Sequence, residues 1–468
     1  MKNFLLKSTI SNILILNIFL SISVHANNDI SKNIQKSASK NDWAMMDNII
    51  ANIQLPNIKS QAFTISDFGA TPGGEKDARS AILATIAYAV KQGGGKVVIP
   101  QGVWLTNGPI VLQSGINLHL AKGATLLFSA NAEDYLPVVK KRWEGTEMFG
   151  YSPMIYANNV EDVAITGKGV IDGNTNSDFH TWYKKQQPDM LALRTMGIKG
   201  VPVENRQFGK GHFLRPELIQ LFGAKRVLLE GYTAKNSPFW VNHLVYTDHA
   251  TVRDIRVDSH RGNNDGIDIE SSTYVLVENS HFRTGDDAVV VKSGRDKDGR
   301  DIAKPSKYIV VRNNDMGGED GIALGSEMSG GISHVYFTDN ILRNGKAAIR
   351  FKGSLDRGGL VEHIRVRNMT IAEFDDIFWF QLNYPGVIEG GHPSIYRDIV
   401  FENITVEKAK RIVFEAHAYK DFPIEDIILK DVTIKEAKQT FILDHVKNLV
   451  FDNVSINNKV INKTYNQH

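Results

Sequence analysis

The sequence predicts an all-β chain wound as a single-stranded parallel β-helix behind a short N-terminal helical cap. Three observations predict it. A short β-branched segment ending in Asn or Asp recurs about every 22 to 35 residues, within the range of solenoid coils. One amphipathic helix near the start is followed by almost nothing but strand patterns. The 39 glycines exceed average usage, as suits a fold with many tight turns.

The elements follow in order. Lys2 and Lys7 give a positive start, Ile10 to Val24 is an apolar run, and Val24-His25-Ala26 resembles a small-residue cleavage site. Residues 1–26 are therefore expected to be a removable export signal, since the run is short and interrupted for a membrane anchor. The mature protein is expected in a periplasm or outside the cell. A polar leader is expected over 27–58 and one β-helical domain over 59–468. That domain opens at Phe63-Thr64-Ile65-Ser66-Asp67-Phe68-Gly69-Ala70. Ala81, Ile82, Thr85, Ile86, Ala89 and Val90 then recur at helical spacing within 78–91. Gly93-Gly94-Gly95 stops the helix, and Lys96-Val97-Val98-Ile99-Pro100 reads as a strand. Such a helix would cover the apolar end of a solenoid.

The repeating unit includes Tyr274-Val275-Leu276-Val277-Glu278-Asn279, Tyr308-Ile309-Val310-Val311-Arg312-Asn313 and His363-Ile364-Arg365-Val366-Arg367-Asn368. Its last residue reads as a turn, because Asn tolerates left-handed backbone and can form side-chain ladders. A leucine-rich horseshoe needs helices between strands, and a propeller repeats every forty residues or roughly more. Neither pattern is present. Near 170–220 there are too many residues for one coil, so an insertion is expected to fold over one face as the wall of a cleft. Its Trp182-Tyr183-Lys184-Lys185 and its Arg194, Lys199, Arg206 and Lys210 suit an anionic sugar.

Composition removes several function classes. The 54 basic and 52 acidic residues are mixed along the chain and leave a net charge of +2, with no basic stripe of the kind that binds nucleic acid. The absence of cysteine excludes disulfides, thiol catalysis and thiolate metal sites. Beyond the first residues no stretch is apolar enough to span a bilayer, so no membrane partner is expected after signal cleavage.

Two acidic motifs carry the chemistry: Asn263-Asn264-Asp265-Gly266-Ile267-Asp268 and Gly285-Asp286-Asp287-Ala288. They lie about one coil apart, so stacking should gather Asp265, Asp286 and Asp287 on one patch. Thr284-Gly285 suggests a turn or bulge that lets both Asp286 and Asp287 face outward. Mutually repelling acids are costly unless they hold a proton, a metal or a substrate. Paired carboxylates on a sugar-binding surface are the working parts of a glycosidase, and calcium is the alternative occupant. Two coils on, Arg350 and Lys352 alternate in Ile349-Arg350-Phe351-Lys352-Gly353 and so share a face, where they would clamp a substrate carboxylate.

The ordered set Asn-Asn-Asp-Gly-Ile-Asp, Gly-Asp-Asp and Arg-Phe-Lys resembles the family 28 glycoside hydrolases, the pectin-cleaving polygalacturonases. Asn236-Ser237-Pro238-Phe239-Trp240, Lys292-Ser293-Gly294-Arg295-Asp296 and Gly325-Ser326-Glu327-Met328-Ser329-Gly330-Gly331 are similar to segments of bacterial exo-acting members. The resemblance runs from about residue 60 to the C-terminus. It implies a right-handed, pectin-lyase-like β-helix and hydrolysis of α-linked galacturonate with inversion. Asp286 would be the general acid, and Asp265 and Asp287 would activate water across a gap of roughly 6.5–9.5 Å. Arg350 and Lys352 would bind the uronate carboxylate and Tyr384 would stack on a sugar ring. No cofactor and no metal ligand are assigned, and the expected partner is an anionic polysaccharide or oligosaccharide.

One departure stands out. The family carries a histidine shortly before Gly-Ser-Glu, where this chain reads Gly317-Gly318-Glu319-Asp320-Gly321. Glu319 or Asp320 occupies the place, which should raise neighbouring acid pKa values and extend the acidic cluster to five. His243 and His260 are candidate substitutes for the imidazole. The insertion favours action at chain ends, because a wall closing one end of a cleft admits only a terminus. The rival readings are a calcium-dependent polysaccharide lyase with a basic proton abstractor and a non-catalytic carbohydrate-binding solenoid.

Overall fold

The computed structural model describes residues 42–467. The expected export signal and the first part of the leader lie outside them. The first of two compact units, Met1–Ala51, is described only over 42–51, which is helical. The second, Asn52–His468, is a right-handed parallel β-helix of three strands per coil. One coil runs through Ile267–Glu270, Thr273–Glu278 and His281–Thr284; the next runs through Val289–Lys292, Ser306–Arg312 and Asp315–Gly317. Each strand pairs in parallel with its counterpart one coil on, as in Ile267 with Val289, Val275 with Ile309 and Phe282 with Met316.

Repetition of the unit makes a core of aligned side chains. Leu118, Ile165, Leu229, Val252, Val277, Val311, Phe337, Val366, Phe401, Leu429 and Phe451 are register partners in succession, and all are buried. Each such apolar side chain contributes about 1.5–3 kcal/mol, and its neighbours above and below are equally apolar. The ends are closed differently. The helix Arg79–Lys91 buries Ile82, Ile86 and Ala89 against the first coils. At the other end Lys459–Gln467 turns back antiparallel on Val446–Ile456 and covers the last edge.

Both corners beside the central strands are left-handed. Asn279, Asn313, Asp339, Asn368, Asn403, Asp431 and Asn453 all have φ between 51° and 57°. Their side chains form the expected ladder, with Asn368 donating to Asp339 at 3.0 Å and Asn403 to Asn368 at 2.7 Å. The opposite corner holds rings at positive φ: His249, Tyr274, Tyr308, His334 and His363 follow one another at 4.5–5.4 Å between centroids, the first pair stacked and the rest tilted. These ring contacts offset part of the strain that left-handed backbone imposes on such residues.

The strands are not quite alone. Helices Gln187–Ile198 and Asp296–Ile302 sit outside the coils, with an antiparallel hairpin of Val139–Trp143 and Thr146–Gly150. Their apolar side chains form a separate cluster around Trp143, Met148, Leu193, Phe208, Phe239 and Trp240. Buried ion pairs tie the hairpin to the solenoid face, Lys141 to Glu217 at 2.5 Å and Arg142 to Glu270 at 3.4 Å. Among the described residues no helix is long and apolar enough to cross a membrane.

Inside the Asn corner lies a second, buried asparagine pair. Asn340 accepts from the Asn314 backbone and side-chain nitrogens, both at 3.0 Å, and donates to the Val311 carbonyl at 2.9 Å. Asn340→Ala takes a partner from all three groups, the Asn314 amide keeping its bond to the Val277 carbonyl at 3.1 Å, and urea denaturation should show a loss of about 2–4 kcal/mol.

Candidate active site

The two acidic motifs converge because they occupy equivalent places in successive coils. Gly266 N donates to the Asp287 carbonyl at 2.9 Å, and Ala288 N donates to that of Asp320 at 2.8 Å. Asp265, Asp287 and Asp320 therefore stack one above another at the start of their strands. A Cβ on Gly266 would stand 2.5 Å from the Ala288 carbonyl oxygen, which explains glycine in the first motif. Asp286 lies in the bend between His281–Thr284 and Val289–Lys292, held by the backbone N–H groups of Asn263 at 3.1 Å and Asp287 at 3.0 Å. Oxygens of Asp265, Asp286 and Asp287 all come within 4.8 Å of one another.

That spacing corrects one expectation. The carboxylates are closer than the roughly 6.5–9.5 Å gap anticipated for a water between acid and base, because adjacent residues and adjacent coils set it. Asp286 is half-buried; Asp287 lines the same cavity, as expected of an outward side chain, but is only 1% exposed because Lys352 covers it. The three oxygens are near enough to share a cation, but lysines already bring positive charge to them. Lys352 donates to both oxygens of Asp287 at 2.7 and 2.9 Å, and Lys292 lies 4.0 Å from Asp265.

Charge compensation is uneven. Burial pushes Asp287 up to about 7; Lys352 opposes this, while Asp320 and Asp286 add to it. Burial also raises Asp265 well above the usual range, helped by Asp268, Asp286 and Asp287. Asp286 is raised by burial and by Glu319 and Asp320 against the pull of Lys352. Asp320 goes the other way. Burial would raise it, but Lys352 at 2.8 Å and Arg350 at 3.1 Å outweigh that and hold it at about 2.

The other expected residues separate into those that arrive and those that do not. Arg350 and Lys352 share the outer face, with Ile349 and Phe351 in the core. Arg350 is fixed by Gln381 at 2.9 Å and packs on Trp379 with 4.0 Å to the ring centroid. Tyr384 lines the cavity, its ring centroid 5.6 Å from the Arg350 guanidinium. Asp320, not Glu319, joins the cluster: Glu319 points to the surface and pairs with Lys346 at 3.3 Å. His243 does not replace an imidazole. It is fully buried beneath Trp240, bonded to Glu270 and Gln220 at 2.8 Å each, away from the cavity lining. His260 is bound to Asp258 on the surface. Of the insertion's basic residues only Arg194 reaches the cavity; Arg206 is buried against Asp298 and Lys210 pairs with Glu133 outside. Trp182 packs on Phe179 and Phe213 as part of the core.

The cavity measures about 300 Å³, at the small end for ligand sites. Arg194 of the insertion lines it, and beyond the expected residues so do Lys292, Arg295, Glu327 and Glu144. Lys292 sits among Glu327 at 2.9 Å, Asp268 at 3.8 Å and the Trp240 ring at 4.7 Å. Lys292, Arg295 and Glu327 fall in segments whose resemblance was plain but whose side chains carried no assigned role. Nothing in the local sequence marks Glu144.

The raised Asp287 gives a pH prediction. Its folded value of about 7 exceeds the ordinary 3.8, so the native state keeps a proton that the unfolded chain releases. Its contribution is fully present below pH 4 and is lost as pH rises through 7. Asp287→Asn should therefore gain stability relative to wild type by about 2–4 kcal/mol between pH 4 and pH 8, read by denaturant unfolding at both.

Comparison with known proteins agrees with this geometry. The family model described as Glycosyl hydrolases family 28 matches residues 96–456. A probable polygalacturonase of Vitis vinifera is 31% identical over 401 residues, spanning 81% of this chain and 75% of that one. An exo-poly-alpha-D-galacturonosidase of Dickeya chrysanthemi is 24% identical, spanning 84% and 71%. The crystal structure of a hyperthermoactive exopolygalacturonase from Thermotoga maritima matches with a TM-score of 0.85 at 36% identity, over 91% of this chain and 99% of that one. With a parallel β-helix, three gathered aspartates and an adjacent lysine–arginine pair in the matched region, the chain belongs to family 28 of the glycosyl hydrolases and is a glycoside hydrolase.

Proposed function

We propose that this enzyme is exported and hydrolyses the α-linked galacturonate units of pectic polysaccharide from chain ends, with inversion. The observation that supports the reading is the contact of Lys352 with Asp287: a cation suited to a uronate carboxylate stands against the carboxylate cluster. Asp286 is the most exposed of the three acids, and burial and its acidic neighbours raise its affinity for a proton, the direction a donor to the glycosidic oxygen needs. Asp265 and Asp287, 3% and 1% exposed, line the same cavity as Asp286 and activate the attacking water. Attack by that water rather than by a carboxylate is the basis for inversion despite the short spacing. Arg350 and Lys352 bind the uronate carboxylate, and Tyr384 lies beside them for the sugar ring.

Action at chain ends is supported by the small volume of the cavity and by its Arg194 and Glu144 lining, supplied by the insertion and the hairpin. The apolar start and the size of a polysaccharide substrate support export. With polygalacturonate the purified enzyme should release mono- or digalacturonate from the first time point, without products absorbing in the ultraviolet. An early ladder of long oligomers overturns the chain-end reading, and unsaturated products overturn hydrolysis. Asp286→Asn should lower kcat by roughly 10²–10⁴-fold with the circular dichroism spectrum unchanged. The anomeric form of the first product, followed by proton NMR, tests inversion.

A further inference from the structure

A second cavity, of about 640 Å³, lies outside the catalytic one and falls within the usual range for ligand sites. The hairpin and the helix Asp296–Ile302 serve both. Glu144 and Arg295, with residues 384–386, line the catalytic cavity, whereas Glu147 and Ile302, further along the same two elements, line the second. The two elements therefore stand between the cavities and close the catalytic one on that side. The floor of the second cavity is built by the repeat. Gly223 and Tyr246 follow the paired strands Ile219–Phe222 and Asn242–Val245, and Lys225, Asp248 and Thr273 are register partners in successive coils. At the usual rung spacing this floor runs along the solenoid axis for roughly 10 Å, which makes it a groove for a chain rather than a socket for one ion.

Most of the charge around the groove is already paired. Glu147 takes Lys140 at 3.0 Å and the Tyr246 hydroxyl at 2.8 Å. Lys225 lies 3.3 Å from Glu161, which Arg226 also holds at 2.9 Å. Asp248 accepts from the Thr273 hydroxyl at 2.6 Å and lies 3.9 Å from His249. Arg142, 5.0 Å from the Tyr246 ring centroid, belongs to Glu270 at 3.4 Å. Lys304 is the exception. Its ammonium reaches only the Tyr246 carbonyl, at 3.4 Å, and stands 4.9 Å from the centroid of the same residue's ring; among the described residues it forms no ion pair. Burial lowers its pKa, Asp248 opposes this from beyond ion-pair distance, and Arg142 and Lys225 add to it. An ammonium has three donors to place, and a half-buried one beside other cations is relieved by an anion arriving from solvent.

We infer that this groove is a second, non-catalytic binding site for a uronate segment of the polymeric substrate, with Lys304 and Lys225 taking sugar carboxylates. Because the hairpin and the helix separate it from the catalytic cavity, the groove holds a different stretch of polymer from the end being cleaved. Holding that stretch raises the local concentration of chain ends at the catalytic cavity. The inference rests on the polygalacturonase reading and adds a site to it.

The test measures kcat and KM of the wild type and of Lys304→Gln on polygalacturonate and on trigalacturonate. The variant should raise KM on the polymer roughly 3- to 10-fold, the worth of one partly exposed charged contact. Its kcat, and both constants on the trisaccharide, should not change, and unchanged trisaccharide kinetics also show that the variant is folded. In Asp286→Asn, titration calorimetry with hexagalacturonate should find two sites, one of which is lost on adding Lys304→Gln or on methyl-esterifying the hexasaccharide. A single site in Asp286→Asn, or an unchanged KM on the polymer, overturns the inference and leaves the polygalacturonase reading standing. Two sites in a protein whose wild type hydrolyses neither substrate overturn that reading and leave the groove as a uronate site.

Discussion

The hydrogen bonds from Gly266 N to Asp287 O and from Ala288 N to Asp320 O are the contacts on which the site depends. They fix the rung-to-rung register, and register alone stacks three aspartates that are up to 55 positions apart, from Asp265 to Asp320. Adjacent parallel strands stand about 4.8 Å apart, so carboxylates in successive rungs must feel one another strongly. Left uncompensated, that repulsion would favour opening the coils. Lys352 and Lys292 oppose it, each reaching back into the acidic column from a place further along the outer face.

The compensation is selective, and the selectivity is chemical. Asp320 receives both Lys352 and Arg350 and stays ionised, while Asp287 shares Lys352 and is raised to about 7. A column of similar side chains in similar backbone positions thus becomes one fixed anion, Asp320, beside two acids, Asp265 and Asp287, whose affinity for a proton is raised by burial. The difference arises from which cation each carboxylate can touch, since all three are almost fully buried. A stable solenoid can carry such a cluster because its stability lies elsewhere, in the aligned apolar core and in the asparagine and aromatic corners.

Some of this was legible in the chain. Asp265, Asp286, Asp287, Arg350 and Lys352 lie within a periodic sequence, so spacing alone implied that they meet. The choice between Glu319 and Asp320 was not legible: adjacent strand residues face opposite ways, and the phase depends on where the rung begins. His243 looked available because its segment carries a motif, yet its rung places it under Trp240, bonded to Glu270 and Gln220. The insertion was visible as surplus length, but its aromatic residues went to packing and only Arg194 of its basic residues came to the cavity.

The sequence by itself determined the coil, its cap, its turn residues and the convergence of the acids, because a repeat with β-branched strands and left-handed Asn corners can close in only one register. Tertiary structure alone decided the short distances between carboxylates, the identity of the fixed anion and the closed side of the cavity. Those depend on side chains from the hairpin, the insertion and the loop around Gly386, which follow no period. Glu144, Arg194, Arg295 and Glu327 meet only after the non-repeating segments have folded onto the solenoid face, with the apolar cluster around Trp143 and Phe239 behind them.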